Sequence, residues 1–419
     1  MRVTAPRPVS ARAALSGGPL GLRNFRLLAT GQFASTVGDY CYAVALPWFV
    51  LSAHGGTVLL GTVLACYGVP RAVLIPVGGV LADRFGARTS MLAADVVRCV
   101  VLGLFLVLAS RHTVSLVALA PTAGLLGAAT GVFIPASYAI MPTLLDTGRL
   151  TAGNSVFTAV QQAGSLLGPA AGGVLIAVAG PVPAFGVDAA SFAVSALSLT
   201  LIPRAVGAAA PPSAEAGSGG EKGAGVLALL RTSRVLQISL LLTLCANLAL
   251  GGLIEVAVPD LAHERFGAPG LGALLACIAA GSMAGTLAAA RTGSLRRPVP
   301  VATSAYMIMA AGLAAVPFLG GLPGAAAAMV ILGVGNGLGN VLLISRLQMW
   351  APPQLLGRLM SLIMLAAFGS YPISVAVTGV FVRHAGPAAF FPVAAVIAAL
   401  PLLLGLTQRE WRDFGCPGS

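Results

Sequence analysis

Apolar tracts of bilayer-spanning length recur from one end of the chain to the other, each bounded by charges or by glycine and proline breaks. A helix needs about 20 mostly apolar residues to cross a hydrocarbon core roughly 30 Å thick. The pattern predicts twelve spans, with cores at 27–51, 58–81, 89–110, 114–140, 154–178, 184–203, 235–258, 271–291, 301–319, 323–347, 358–381 and 388–407. The alanine-rich tract 323–347 also suits a dented or re-entrant segment. The expected class is an all-α polytopic membrane protein with twelve transmembrane helices.

Residues 205–225, AVGAAAPPSAEAGSGGEKGAG, form the long polar break between spans, and their composition is that of a flexible linker. It divides the spans six and six. The expected organisation is a tail at 1–26, a six-helix half at 27–204, a linker at 205–234, a second half at 235–408 and a tail at 409–419. Two echoes link the halves. Val44-Ala45-Leu46-Pro47 recurs as Val256-Ala257-Val258-Pro259, and Gly148-Arg149-Leu150 recurs as Gly357-Arg358-Leu359, at similar offsets and equivalent topological places. Duplication into two pseudo-symmetric bundles is the reading these matches favour.

Composition agrees: of 419 residues, 57% are hydrophobic and 9% charged, against about 25% charged in a soluble domain. No stretch remains for a large soluble domain. The net charge of +12 changes meaning once it is sorted by side. Arg23, Arg26, Arg84, Arg88, Arg149, Arg231, Arg234, Arg296, Arg346 and Arg358 fall with the termini, whereas the opposite loops hold only Arg111, Arg265 and Arg383. Cytoplasmic loops collect Lys and Arg, so both termini are expected in the cytoplasm of a multi-pass plasma-membrane protein. Scattered juxtamembrane charges also argue against a nucleic-acid partner. The first apolar tract is too long for a signal peptide and reads as a retained helix. Six cysteines without a CxxC pair suggest neither a disulfide framework nor a metal site. The Arg-rich, Ala- and Gly-rich usage resembles that of a GC-rich bacterium.

Between spans 2 and 3 the stretch GGVLADRFGARTS sets Gly79, Asp83, Arg84, Gly86 and Arg88 in a short turn. The glycines allow a tight reversal, the carboxylate suits helix N-termini, and the arginines suit carboxylates or helix C-terminal carbonyls. The pattern resembles the signature loop of the major facilitator superfamily of twelve-helix secondary transporters, with Ala87 where that family usually has a basic residue. The resemblance implies that the loop latches the two halves on the cytoplasmic side in the outward-open state. Gly164, Gly168, Pro169, Gly172 and Gly173 in span 5 resemble the motif of the family's antiporters, and their spacing also permits plain close packing of helices. PTLLDTGRLTAGN (142–154), FGVDAASF (185–192) and residues 348–361 resemble the branch with macrolide-efflux and siderophore-export proteins.

Charges inside spans cost roughly 2.5–3.5 kcal/mol each on insertion scales, so each one present calls for a partner, a cavity or a function. Asp39 lies about 20 Å along span 1 from Arg26, and Arg71 about 18 Å along span 2 from Asp83. At matching depth, the two are expected to face a common cavity and to pair, with proton binding at Asp39 weakening the pair. A fixed ion pair is the structural alternative. Asp95 and Arg98 share a face of span 3 and read as a gating or structural network tied to the cytoplasmic loop. Glu255 in span 7, offset by one turn from the place equivalent to Asp39, is a second proton-binding candidate or a solvated helix-end residue. Gln161, Gln162, Asn247, Asn336 and Asn340 are candidates for lining the cavity or bonding between helices.

Catalysis finds little support. His54, His112, His263 and His384 are spread over separate loops, and HExxH, GxSxG and GxxxxGK[ST] are all missing. The leading expectation is a monomeric, cofactor-free secondary transporter that exports a small amphiphilic compound in exchange for protons. Uptake of a polar metabolite is the alternative, and a lipid-acting membrane enzyme or a non-transporting receptor is remote.

Overall fold

The computed structural model describes residues 19–53, 56–110, 118–203, 230, 232–291, 298–350, 356–408 and 410–411. Most of the expected linker, the N-terminal tail before residue 19 and the tail beyond 411 lie outside the described residues. The first six helices are α1 (Arg23–Ser52), α2 (Gly56–Phe85), α3 (Ala87–Ser110), α4 (Leu119–Ala139), α5 (Thr147–Ala179) and α6 (Val182–Thr200). The second six begin with α7, which runs Arg234–Gly252, passes through a π-helical stretch Leu253–Ala257 and ends as Val258–Arg265. Then come α8 (Gly267–Arg291), α9 (Pro298–Ala315), α10 (Gly321–Trp350), α11 (Leu356–Gly369, resuming as Tyr371–Ala385) and α12 (Pro387–Thr407).

By length and composition ten of these helices are apolar enough to cross a membrane, and the apolar part of α9, Pro300–Ala315, is shorter. α1 is 30 residues long but more polar, because Gln32, Ser35, Thr36 and Asp39 interrupt it. α10 is continuous through 323–347, so that tract is a spanning helix and not a re-entrant one. Large apolar side chains such as Val73, Val80, Val100 and Leu104 stay exposed on the outside of the bundle, where lipid takes the place of a core.

The two halves repeat one pairing scheme. α2 packs on α4, α3 on α4 and α6, and α1 on α6, as α8 packs on α10, α9 on α10 and α12, and α7 on α12. The fold is therefore twelve helices in two pseudo-symmetric six-helix bundles. The bundles meet through α5 against α8 and α2 against α11.

Both seams depend on glycine. A Cβ on Gly272 of α8 would lie 2.5 Å from the Pro169 carbonyl oxygen of α5, and one on Gly61 of α2 would lie 2.6 Å from the Val375 carbonyl of α11. The Thr57 hydroxyl donates to the Gly379 carbonyl at 3.0 Å across the second seam. Trp48 packs at a tilt against His263, with ring centroids 4.9 Å apart, and Ser52 Oγ lies 3.5 Å from His263 Nε2. All these residues belong to the end away from the termini.

The hydrophobic core follows the same division. One cluster runs continuously across both halves and includes Val44, Leu60 and Phe185 with Val256, Leu261 and Leu271. Nearer the termini the core splits. Phe25, Ala82, Met91, Phe133 and Phe157 form a cluster of first-half residues, and Ala289, Ala302 and Leu342 form one of second-half residues. Among the described residues, the helices are closed together at the end away from the termini and parted at the other.

Candidate functional site

Between the bundles lies a cavity of about 440 Å³ that takes Asp39 from α1, Arg71 from α2, Arg98 from α3, Gln161 from α5, Asp188 from α6 and Glu255 from α7. Its walls are rich in aromatic side chains: Tyr40, Tyr42, Tyr67, Phe133, Tyr138, Phe192, Phe368 and Tyr371. A second cavity of about 590 Å³ continues into the other half, lined by Asn247, Asn336, Asn340 and Tyr306. Glu255, Phe368 and Tyr371 line both.

Local backbone features put these groups in place. Gly164, Gly168 and Gly172 of α5 face α1, where added Cβ atoms would meet Thr36 at 2.6 Å, Tyr40 at 2.5 Å and Cys41 at 3.1 Å. That close approach seats the Asp39 turn against α5. Gly173 instead faces α8, 3.0 Å from the Gly272 Cα for an added Cβ, so the five-residue motif serves two helix contacts and Pro169 contributes a carbonyl to one of them. The π-helical stretch of α7 carries Glu255, and such insertions re-aim side chains locally. α11 breaks between Gly369 and Tyr371, with Pro372 opening its second section. Proline supplies no N–H to continue a helical ladder, and the break leaves Phe368 and Tyr371 on the cavity wall.

Asp95 and Arg98 are ion-paired, with Arg98 Nη2 donating to Asp95 Oδ1, and both are essentially buried. The Arg98 guanidinium sits between two aromatic faces, 4.3 Å from the Phe133 centroid and 4.2 Å from that of Phe192. Arg98 lines the central cavity, so the pair reaches that cavity, where its sequence position had suggested a network tied to the cytoplasmic loop. Asp39 and Arg71 both reach the cavity but form no ion pair with each other; Asp95–Arg98 is the ion pair found among the described residues. Arg71 lies over Tyr67 and Phe368 instead, 5.9 and 5.2 Å from their centroids. Arg98, like Arg71, lines the cavity that Asp39 enters. Ring faces attract a guanidinium, and α3 offers a second cation at the same depth, so pairing two helices by depth alone missed the third.

In the turn, Gly86 has φ +89°, a left-handed conformation glycine adopts without strain, and it reverses α2 into α3. Arg88 is buried and donates through Nε to the Leu199 carbonyl at 2.8 Å and through Nη2 to that of Thr200 at 3.2 Å, capping the C-terminal end of α6. Asp83 and Arg84 are exposed, and Gly79 has open space beside it. Ala87 is buried in the first-half cluster. Gln162 is half-buried beside the cavity but does not line it.

Asp188 was not picked out from the sequence. It lies only about 9 Å by helical rise from the start of α6, where a charge reads as an ordinary helix end. α1 extends past it, so Asp188 ends up buried against Gly38, whose added Cβ would be 2.7 Å from Asp188 Oδ1. The aromatic walls were also missed, because nothing in a single span separates a cavity-facing tyrosine from a lipid-facing one.

Two bundles of six helices around a polar central cavity, closed at one end and parted at the other, are the architecture of a membrane transporter. The Major Facilitator Superfamily model matches residues 28–375, and the chain belongs to that family. It is 27% identical over 397 residues to the multidrug efflux pump Tap of Mycolicibacterium fortuitum, covering 92% of this chain and 94% of that protein. An uncharacterised transporter of the same type, y4rN of Sinorhizobium fredii, is 26% identical over 391 residues, covering 91% of this chain and 94% of its own. Among solved structures, a bacterial homologue of the iron transporter ferroportin in an inward-facing state superposes with TM-score 0.73 at 15% identity, covering 93% of this chain and 99% of that one. A POT family transporter in complex with 5-aminolevulinic acid gives TM-score 0.73 at 13% identity, covering 92% and 96%. The protein is a transporter and not an enzyme.

Proposed function

We propose that the protein is a proton-coupled exporter of a small amphiphilic compound, working by alternating access around the central cavity. The observation that carries this reading is the cavity's make-up: Asp39, Asp188 and Glu255 set among eight aromatic side chains, with Arg71 and Arg98 as the charged counterweights. Aromatic surface suits an amphiphile, and carboxyls in a low-dielectric site suit an exchangeable proton. Full-length likeness to a protein named a multidrug efflux pump supports the direction.

In this reading the termini are cytoplasmic, so the parted end faces the cytoplasm and substrate enters from there. Asp39 and Glu255 carry protons, while Arg71 and Arg98 hold the charge balance. Closing the parted end brings the loop at Asp83 and Arg84 against the second half, and the seams at Gly61 and Gly272 open.

Purified protein in proteoliposomes, given an imposed pH gradient and a panel of lipophilic cations, macrolides and siderophore-like compounds, tests this. Substrate-triggered proton movement opposite in direction to substrate flux is expected, and Asp39→Asn should abolish it. Flux of substrate and protons in the same direction would instead establish uptake. Asp39→Asn with undiminished proton-driven transport would remove Asp39 from the mechanism.

A further inference from the structure

Asp188 and Asp39 project into one cavity from adjacent helices. The Asp188 carboxylate is pressed against α1 at Gly38, one residue before Asp39, and Asp39 is the strongest charge influence on it. Ser191 Oγ lies 3.4 Å from Asp188 Oδ1. The cation nearest in influence to both carboxyls is Arg98, and Arg98 is already paired with Asp95. Three carboxyls therefore share the Arg98 guanidinium that the rings of Phe133 and Phe192 hold in place, with Arg71 adding its charge at Asp39 but not at Asp188.

A second, independent observation marks the same wall. Gln32 lines the cavity at 8% exposure, yet its Oε1 has no hydrogen-bond partner, and Arg98 Nε is likewise buried without one. Buried polar atoms are nearly always bonded, so each unsatisfied one calls for an explanation, a bound or exchanged species among them.

We propose that Asp39 and Asp188 form a carboxyl pair that holds a single proton between them, with Asp188 as a proton-coupling residue alongside Asp39. This rests on the proton-exchange reading above. Two carboxylates in a low-dielectric wall with one shared, already engaged cation cannot both stay ionised without cost, so one keeps its proton. On release, the carboxyl O–H bond breaks, the electron pair stays on the oxygen and the proton passes to water in the cavity.

Other groups facing the pair set its field. On α1, Tyr40, Cys41 and Tyr42 flank it. α2 presents Tyr67 and Arg71, α3 presents Asp95 and Arg98, and α7 presents Glu255. α4 and α5 contribute neutral groups, Thr130 and Gln161 among them.

Infrared titration of the carboxyl band in full-length protein in lipid, without substrate, tests the pair. In Asp188→Asn, Asp39 loses a repelling neighbour, so its proton should come off at lower pH, by roughly tenfold or more in proton affinity. Asp39→Asn should shift the Asp188 band in the same direction. Asp188→Glu, which keeps the charge, should hold the midpoint near that of the parent protein and serves if the asparagine variant folds poorly. Midpoints unmoved in both asparagine variants would overturn the pair. Because no substrate is present, a coupled titration in a protein that moves no compound would refute the export reading alone.

Discussion

At the scale of single residues, the informative groups are charges placed where lipid-spanning helices ordinarily exclude them. Arg98 is the clearest case, with its guanidinium between two rings and its charge on Asp95. Removing one partner of a buried pair leaves the other uncompensated, which costs about 3–5 kcal/mol. Arg98→Ala is therefore expected to lower the thermal unfolding temperature of the detergent-purified protein sharply. Arg98→Lys should recover only part of the loss, because an ammonium does not stack as a planar guanidinium does. A melting curve for Arg98→Ala that overlays the parent's would show that the pair contributes nothing to stability. Asp95, Arg98 and Asp39 were all visible in the sequence as costly charges, whereas the Arg98–Asp39 relation was not, since it links different helices.

At the scale of elements, the glycine seams decide which helices touch. A side chain at Gly272 collides with the Pro169 carbonyl, and that backbone cannot swing aside as a flexible side chain would. Overpacking of this kind costs roughly 1–3 kcal/mol, enough to move a two-state population roughly 5–150-fold. Gly272→Leu should therefore shift the protein away from the form closed at the end opposite the termini. Spin labels at the far ends of α5 and α8 would read this as a distance distribution moved to longer values, and an unchanged distribution would refute the seam's role. The contact of His263 with Trp48 and Ser52 crosses the halves at the same end. His263→Ala should push the same distribution in the same direction by a smaller amount. The span-5 motif shows the limit of a pattern. Its spacing announced close packing, but only the assembled bundle shows three glycines serving α1 and the fourth serving α8.

At the scale of the whole molecule, the division of the core tells which end is open, and it leaves the signature loop half engaged. Arg88 is tied to α6, while Asp83 and Arg84 remain exposed. If the loop latches only when the parted end closes, Asp83→Asn should leave the stability of the present form within about 0.5 kcal/mol while slowing transport by roughly 5–150-fold, the span of a 1–3 kcal/mol coupling. Melting temperature and initial flux, measured on one preparation, separate the two effects. Normal flux in the variant would mean the latch does not form.

The helices, their number and their grouping into two halves were legible along the chain, because apolar length, turn glycines and positive charge near the membrane are local properties that each segment carries by itself. The same local reading located most of the cavity's charges by their cost. What only the tertiary structure decided is which charges share a neighbourhood: Arg98 as well as Arg71 on the cavity that Asp39 enters, Asp188 beside Gly38, and Glu255 on a π-helical stretch between two cavities. Helix rotation, relative length and a one-residue insertion set those meetings, and each depends on how two surfaces pack, which no single span contains.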